Sequence, residues 1–225
     1  MNRPWVKRAL PFIIYILFIP LYGLIKPFAS EETVSITSLM LLLYCVKIFA
    51  VSLALAWFWK SYDELSLPAF NFTNLLIGLA VGIIVFAFWI RMDWEFAAVG
   101  GPEIFDPHVL TDGLVYFFIA VRMLGTSVVV PIFEELFWRS LIIRYIINPD
   151  FTSVKLGTFT WSSFIVSSLL FGLEHNLWLA GILAGVFYNL LLYRTKNLFY
   201  CILAHGITNF LLGLYVIKTG SWQFW

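Results

Sequence analysis

The sequence predicts an all-α membrane protein, a polytopic bundle of transmembrane helices. Of its 225 residues, 61% are hydrophobic and only 12% are charged, and the mean hydropathy is +0.91. Apolar runs of about 17 to 25 residues recur along the chain, which is the length that a helix needs to cross a ~30 Å hydrocarbon core. No alternating strand pattern indicates a barrel. We therefore expect a single membrane domain over residues 1–225.

Each apolar run predicts one helix. The predicted spans lie at about residues 9–28, 34–59, 75–90, 114–147, 156–174, 177–193 and 198–217. The stretch 114–147 is too long for one perpendicular helix and contains Gly125 and Pro131, so we expect a break or kink there. The prediction is seven spans, or eight helices if that stretch divides. The first span resembles a secretory signal but lacks a clear cleavage site, and we expect it to be retained.

Charge and cysteine usage exclude several classes of function. The formal net charge is +1, with no basic patch or charged tail, so a nucleic-acid partner is not indicated. Cys45 and Cys201 lie in apolar runs without CxxC spacing, which favours buried packing thiols over a disulfide or metal pair. The redox compartment is therefore not readable from the cysteines.

The distribution of basic residues predicts the orientation in the membrane. Lysine and arginine concentrate at Arg3, Lys7, Arg8, Lys60, Arg144, Lys155, Arg194 and Lys196. Under the positive-inside rule, this pattern places the N-terminus in the cytoplasm and the C-terminus outside. Lys26 and Arg91 do not follow the rule, because this orientation places both of them on the outer side of the membrane.

Two adjacent carboxylates interrupt the apolar run PIFEELFWRSLIIR. A charge near the centre of a bilayer costs roughly 2.5 to 3.5 kcal/mol, so Glu134, Glu135 and Arg139 are candidates for a functional site. Glu135 and Arg139 have the i, i+4 spacing that permits an ion pair on one helix face. Glu134 points about 100° away and is left unpaired, which suits a general base.

Two of the three histidines lie in or at the edge of the late spans. His205 and Asn209 share one helix face through i, i+4 spacing, and Phe171 and His175 have the same spacing. Three helices could therefore bring Glu134, the two histidines and Asn209 to one cavity.

Structural roles compete with this interpretation. The Glu135–Arg139 pair could clamp two helices together, and membrane histidine and asparagine often form interhelical hydrogen bonds. We expect Glu174 to be interfacial and solvated, and Arg122 could be a topological or lipid-facing anchor. The occurrence of most deep polar groups on three helices favours a site. The chain contains neither the HExxH motif of zinc proteases nor the GxSxG motif of serine hydrolases.

Three motifs carry a family resemblance. They are EExxxR in Glu134, Glu135 and Arg139, FxxxH in Phe171 and His175, and HxxxN in His205 and Asn209. In these motifs and their order the sequence resembles the CAAX-protease and bacteriocin-processing family of intramembrane proteases, also called ABI or CPBP. The resemblance covers residues 115–217, within a protease-like core at 114–217, and leaves 1–113 as variable spans. Flanking segments resemble a bacterial branch associated with exosortase protein-sorting systems, which implies exosortase-system partners.

The resemblance implies an endopeptidase in a bacterial inner membrane that cleaves a membrane-anchored protein or peptide precursor. Glu134 and His175 would activate water, and His205 and Asn209 would stabilise the oxyanion. Glu135, Arg139 and Phe171 would support the site. Family members are commonly labelled metalloproteases, with Zn²⁺ held by His175 and His205 near Glu134, and a metal-independent glutamate mechanism is the alternative. These roles are expectations from the resemblance.

Two other functions remain open at this point. One is a non-catalytic scaffold or self-immunity protein with the same fold. The other is a proton-coupled carrier that uses Glu134 and the histidines as a relay. The intact motifs favour the enzyme over the scaffold. The carrier is disfavoured because the two halves show no repeat and no matching broken helices.

Overall fold

The structure, a computed structural model, describes residues 3–28, 36–67, 71–100, 106–110 and 112–224. These residues contain no strand, which confirms the all-α prediction. Seven helices lie in them: α1 (Pro4–Ile25), α2 (Ile36–Phe58), α3 (Phe72–Trp89), α4 (112–147), α5 (Trp161–Leu173), α6 (Trp178–Thr195) and α7 (Leu198–Thr219).

Five of the seven helices have the length and apolar composition of a membrane span. They are α1, α2 with its extension to Ser61, α3, α4 and α7. With 13 residues, α5 is about 20 Å long at 1.5 Å per residue, which is less than the hydrocarbon thickness. The sequence therefore predicted the number of helices correctly, but α5 and α6 do not have the length and apolar composition of a membrane span.

The long helix α4 does not break at Gly125 and Pro131. Two π-helical stretches, Gly125–Val129 and Leu136–Ile142, lie within it, and the helix continues through both. Single π turns inside α-helices are frequently found at functional sites. The α-helical segment between them, Val130–Glu135, carries both glutamates of the first motif.

Close packing of α7 against α3 places the third motif in the centre of the bundle. A Cβ added at Gly82 of α3 would lie 2.6 Å from the Ala204 carbonyl oxygen, so only glycine permits this approach. Thr208 Oγ1 donates a hydrogen bond to the Gly82 carbonyl at 3.0 Å and accepts one from the Tyr188 hydroxyl at 2.8 Å. These bonds join α3, α6 and α7 around His205.

The two ends of the bundle differ in charge. Eight of the 14 lysine and arginine residues lie at the end that holds the start of α1 and the ends of α2, α4 and α6: Arg3, Lys7, Arg8, Lys60, Arg144, Lys155, Arg194 and Lys196. We call this the basic end. Contacts at the opposite end join the Val99 amide to the Asn176 carbonyl at 2.8 Å and the rings of His108 and Trp222 at 5.5 Å.

A buried charge cluster closes the basic end. Glu64, which follows α2, accepts hydrogen bonds from Arg8 Nε at 2.9 Å, Ser140 Oγ at 2.6 Å and Arg144 Nη2 at 2.5 Å. The cluster joins the start of α1 and the last turns of α4 through one carboxylate. Its bonds are charge-assisted, which makes them the stronger kind of hydrogen bond.

Glu64 predicts a loss of stability in acid. Burial raises the pKa of the Glu64 carboxyl, but the Ser140 hydrogen bond and the Arg8 charge outweigh burial, and the pKa is below its ordinary value of 4.5. A lowered folded-state pKa stabilises the protein above the unfolded-state pKa, and this stability is lost as the pH falls through the folded-state pKa. In detergent, the melting temperature of wild type should fall below pH 4.5, and Glu64→Gln should remove part of that pH dependence.

The matched control is Asp63→Asn, which changes the exposed neighbouring carboxylate. It should keep the acid dependence of wild type. An identical pH profile for wild type and Glu64→Gln would show that Glu64 does not stabilise the basic end.

Candidate active site

One cavity of about 360 Å³ contains every residue that the sequence predicted to be catalytic. Glu134 of α4, His175 of the α5–α6 linker, and His205 and Asn209 of α7 all line it. Trp89, Asn176 and Gln223 also line it, so the cavity lies toward the end opposite the basic end. The helices thus bring the three motifs together.

Glu134 is buried in this cavity and does not face lipid. Its residue is 6% exposed, and its Oε2 lies 3.9 Å from Nε2 of His205. That oxygen has no hydrogen-bond partner among the described residues. A buried carboxylate oxygen without a donor is available to accept a hydrogen bond from a ligand or from water.

Glu135 contacts two residues of the site. Its Oε2 lies 3.2 Å from Arg139 Nε, which is the ion pair that the i, i+4 spacing predicted. Its Oε1 lies 3.0 Å from Nδ1 of His205, a contact that the sequence did not predict. Because a carboxylate accepts, we assign the hydrogen to Nδ1 of His205. Glu135 therefore orients the imidazole and leaves its Nε2 facing Glu134.

Aromatic rings enclose the Arg139 guanidinium. Its Cζ lies 4.2 Å from the ring centroid of Phe171 and 5.3 Å from that of Tyr188. Such cation–π contacts are strongest where water is excluded, and Arg139 is 1% exposed. The Phe171 ring also lies 5.0 Å from the ring of His175. Phe171 therefore packs between the arginine of the first motif and the histidine of the second.

His175 lies in the short linker between α5 and α6. Its Nδ1 lies 2.7 Å from the Phe171 carbonyl oxygen, and since a carbonyl only accepts, Nδ1 donates. In the neutral ring this leaves the lone pair on Nε2. The Trp89 ring packs nearly perpendicular to the imidazole with ring centroids 5.3 Å apart, which further fixes the orientation of His175.

Asn209 is bonded to the backbone of α4. Its Nδ2 donates to the Thr126 carbonyl at 2.8 Å, within the first π-helical stretch. A Cβ added at Gly206 would lie 2.7 Å from the Ser127 carbonyl oxygen, so this glycine permits α7 to approach α4. One amide hydrogen of Asn209 is used in this bond, and the second remains for a ligand.

Glu174 is a site residue that the sequence interpretation missed. We expected it to be solvated at the interface, and that prediction is wrong. Its side chain is 15% exposed, and its Oε1 accepts a hydrogen bond from the indole Nε1 of Trp138 at 2.9 Å. Its Oε2 is buried without a hydrogen-bond partner among the described residues. The available signal was Trp138, whose buried N–H requires an acceptor.

Three residues of the cavity form a group that could hold a cation. Glu134, Glu174 and His175 each offer a ligand atom, and these atoms lie within 4.8 Å of one another. His205, which we had expected to act as a ligand with His175, is not a member of this group. The unpartnered Oε2 atoms of the two glutamates fit a positively charged ligand.

Arg122 does not behave as a lipid-facing anchor. It lines the cavity, and its Cζ lies 5.0 Å from the ring centroid of Tyr44. The arginine therefore belongs to the wall between the cavity and α2.

Comparison with known protein families finds a similarity over part of the chain. Residues 116–211 match the model of the family described as type II CAAX prenyl endopeptidase Rce1-like. All three motifs lie in the matched segment. No curated protein and no solved structure is significantly similar to the chain. The match and the apolar helices support an integral membrane protein with the intramembrane endopeptidase activity of the family in general. The match over residues 116–211 thus confirms the resemblance of this chain to the CAAX-protease, or CPBP, family.

Proposed function

We propose that the protein hydrolyses a peptide bond of a membrane-anchored protein or peptide precursor. The observation that supports this most is the convergence of Glu134, His175, His205 and Asn209 on one cavity. A scaffold would not need a buried Glu134 oxygen that has no hydrogen-bond partner among the described residues, since such a group costs free energy.

Glu134 is the proposed general base. As the water oxygen attacks the scissile carbonyl carbon, the Glu134 carboxylate accepts a water proton. It then delivers that proton to the amine nitrogen as the carbon–nitrogen bond breaks, so the carboxylate is regenerated. General acid–base catalysis of this kind contributes typically 10²- to 10⁴-fold in rate.

The other three residues position water and stabilise charge. When no cation is bound, Nε2 of His175 can accept the second hydrogen of the water, because Nδ1 donates to Phe171. Asn209 can donate its second amide hydrogen to the oxyanion. His205 can donate through Nε2 when its ring carries both protons, since Nδ1 already donates to Glu135. Donors aimed at a developing oxyanion contribute about 10²- to 10³-fold each.

A metal ion is compatible with this site. A bound divalent cation would polarise the scissile carbonyl and lower the pKa of water, and Glu134, Glu174 and His175 are the residues that would hold it.

The positions of the cavity and of the basic end suggest where the substrate is cut. With the basic end in the cytoplasm, the cavity lies toward the non-cytoplasmic face. A prenylated C-terminus in the cytoplasm would then lie at the wrong end, so we propose a precursor segment at the outer face. A bacterial inner membrane and exosortase-system partners are proposed from the sequence resemblance.

Cysteine labelling tests this orientation. In a background with Cys45→Ser and Cys201→Ala, Glu95→Cys should react with a membrane-impermeant maleimide added outside intact cells, because Glu95 is exposed at the end opposite the basic end. Lys155→Cys, which is exposed at the basic end, is the matched control and should react only after permeabilisation. The reverse pattern would invert the proposed topology.

A pair of reporters tests the function together with its sidedness. Both carry the same cleavable segment beside one membrane anchor, with the segment outside the membrane in one reporter and in the cytoplasm in the other. Purified protein in oriented proteoliposomes should cleave the first. Cleavage of the second alone would reject the outer face, and cleavage of neither would reject the proposed activity on this substrate class.

A further inference from the structure

We propose that Glu174 completes, with Glu134 and His175, a site for a divalent cation such as Zn²⁺, and that His205 is not one of its ligands. This inference concerns the cavity of the proposed peptidase, but the binding of a cation does not require that the protein be a peptidase. The ligand set differs from the one that the motifs imply, because Glu174 belongs to none of them.

The first argument is the position of the ligand atoms. Those of Glu134, Glu174 and His175 lie within 4.8 Å of one another, and this is the only such group of three among the residues that the structure describes. Ligands of a tetrahedral zinc ion lie about 3.4 Å apart for bonds of ~2.1 Å. The three ligand atoms are therefore farther apart than in an occupied site, and a bound cation would draw them together.

The second argument is the state of the two carboxylates. Glu134 Oε2 and Glu174 Oε2 are each buried without a hydrogen-bond partner among the described residues, and the side chain of Glu134 is 9% exposed. The nearby Arg139 guanidinium forms its ion pair with Glu135 and not with either of these two carboxylates. Two close carboxylates in a low-dielectric cavity repel each other, and a divalent cation between them removes that cost.

The third argument is the orientation of the ligands by their neighbours. His175 donates its Nδ1 hydrogen to the Phe171 carbonyl, so the lone pair that can bind a cation is on Nε2, while Nδ1 lies 3.9 Å from Glu174 Oε1. Trp138 donates to Glu174 Oε1, which leaves Oε2. Metal-binding histidines and carboxylates are typically held by such outer hydrogen bonds. One imidazole and two carboxylates leave an open position for water, as a catalytic zinc site does.

His205 has a different environment. Its Nδ1 also donates to a carboxylate, Glu135, but its Nε2 lies 3.9 Å from Glu134 Oε2. The ring is stacked on Tyr188 with centroids 5.0 Å apart and an interplanar angle of 22°. We therefore assign His205 to hydrogen bonding rather than to metal binding.

Calorimetric titration with Zn²⁺ of the purified full chain in detergent, after treatment with a chelator, tests the assignment. Wild type should bind one Zn²⁺ per chain. Glu174→Gln, which keeps an acceptor for Trp138, should raise Kd by at least about 100-fold, since losing a residue that merely hydrogen-bonds a ligand costs ~10- to 100-fold. Trp138→Phe, which removes only the hydrogen-bond donor to Glu174, should raise Kd by that smaller factor of ~10- to 100-fold. His205→Gln should change Kd far less than Glu174→Gln.

His108→Ala is the matched control for adventitious binding. His108 and Asp106 form an exposed pair outside the cavity, with 2.7 Å between Nδ1 and Oδ1, and removing it should leave the one-to-one binding intact. Melting curves without metal establish that each variant is folded. If Glu174→Gln does not fold, Trp138→Phe supplies the comparison.

Three results would overturn the proposal. They are no stoichiometric Zn²⁺ binding by wild type, loss of binding in His108→Ala, and an equal or greater loss in His205→Gln than in Glu174→Gln. Reporter cleavage in excess chelator separates this proposal from the peptidase activity. Cleavage in excess chelator together with no Zn²⁺ binding would leave the hydrolase and remove the metal site, whereas Zn²⁺ binding without cleavage would do the reverse.

Discussion

Glu134→Gln should lower the rate constant for reporter cleavage by at least about 100-fold, because glutamine cannot accept the water proton. The same substitution should leave the melting temperature unchanged or raise it. Glu134 is buried and its Oε2 has no hydrogen-bond partner among the described residues, so removing its charge relieves a desolvation cost. Loss of activity with retained stability is the pattern expected of a catalytic residue.

The matched control for Glu134→Gln is Glu95→Gln, which changes an exposed glutamate outside the cavity. It should retain the wild-type rate constant. Near wild-type cleavage by Glu134→Gln in the purified protein would mean that another group accepts the proton.

Arg139→Ala should produce the largest loss of stability. Arg139 is 1% exposed and pairs with Glu135, which is 0% exposed. Breaking a buried ion pair by removing one partner costs about 3 to 5 kcal/mol, because the other charge is left uncompensated. The substitution also removes the cation from the rings of Phe171 and Tyr188. Unfolding in detergent measures the change in the free energy of unfolding.

A double-mutant cycle separates the ion pair from the packing of Arg139. Glu135→Gln in the Arg139→Ala background should recover part of the lost stability, since the side-chain amide oxygen can still accept from His205 and no buried charge remains. Arg91→Ala, at an exposed arginine, is the control and should have little effect. Additive effects of Arg139→Ala and Glu135→Gln would remove the assignment of an ion pair.

The helices could be predicted from the sequence because hydropathy is a property of one segment at a time. An apolar run of sufficient length specifies a buried helix whatever its neighbours are. The Glu135–Arg139 pair was predictable for the same reason, since both residues lie on one helix and their spacing fixes the distance between them. The family motifs then indicated that the three late helices meet.

Contacts between helices were not accessible in this way. The hydrogen bond from His205 to Glu135 depends on how closely α7 approaches α4, which the space beside Gly206 permits. Helix packing in membranes depends on such small residues rather than on spacing along the chain. Whether α4 divides was left open by the sequence, because Gly125 and Pro131 favour a break locally; in the structure the helix continues, and π-helical turns absorb the irregularity.

Glu174 illustrates the limit for residues outside helices. A charged residue at the end of an apolar run is usually solvated, and that rule predicted an exposed side chain. In the structure, the linker turns Glu174 inward to the indole of Trp138, a residue 36 positions earlier in the chain. Only the tertiary contact reveals that this carboxylate faces the same cavity as Glu134.

The most direct test of the central claim is cleavage of the outer-face reporter by purified wild type in water enriched in oxygen-18, read by mass spectrometry. Glutamate-activated hydrolysis predicts two fragments whose summed mass exceeds that of the reporter by one water, with one oxygen-18 atom in the new terminal carboxylate. Glu134→Gln should give no such fragments. An intact reporter after incubation with folded wild-type protein, or labelled fragments formed equally fast by Glu134→Gln, would contradict the account.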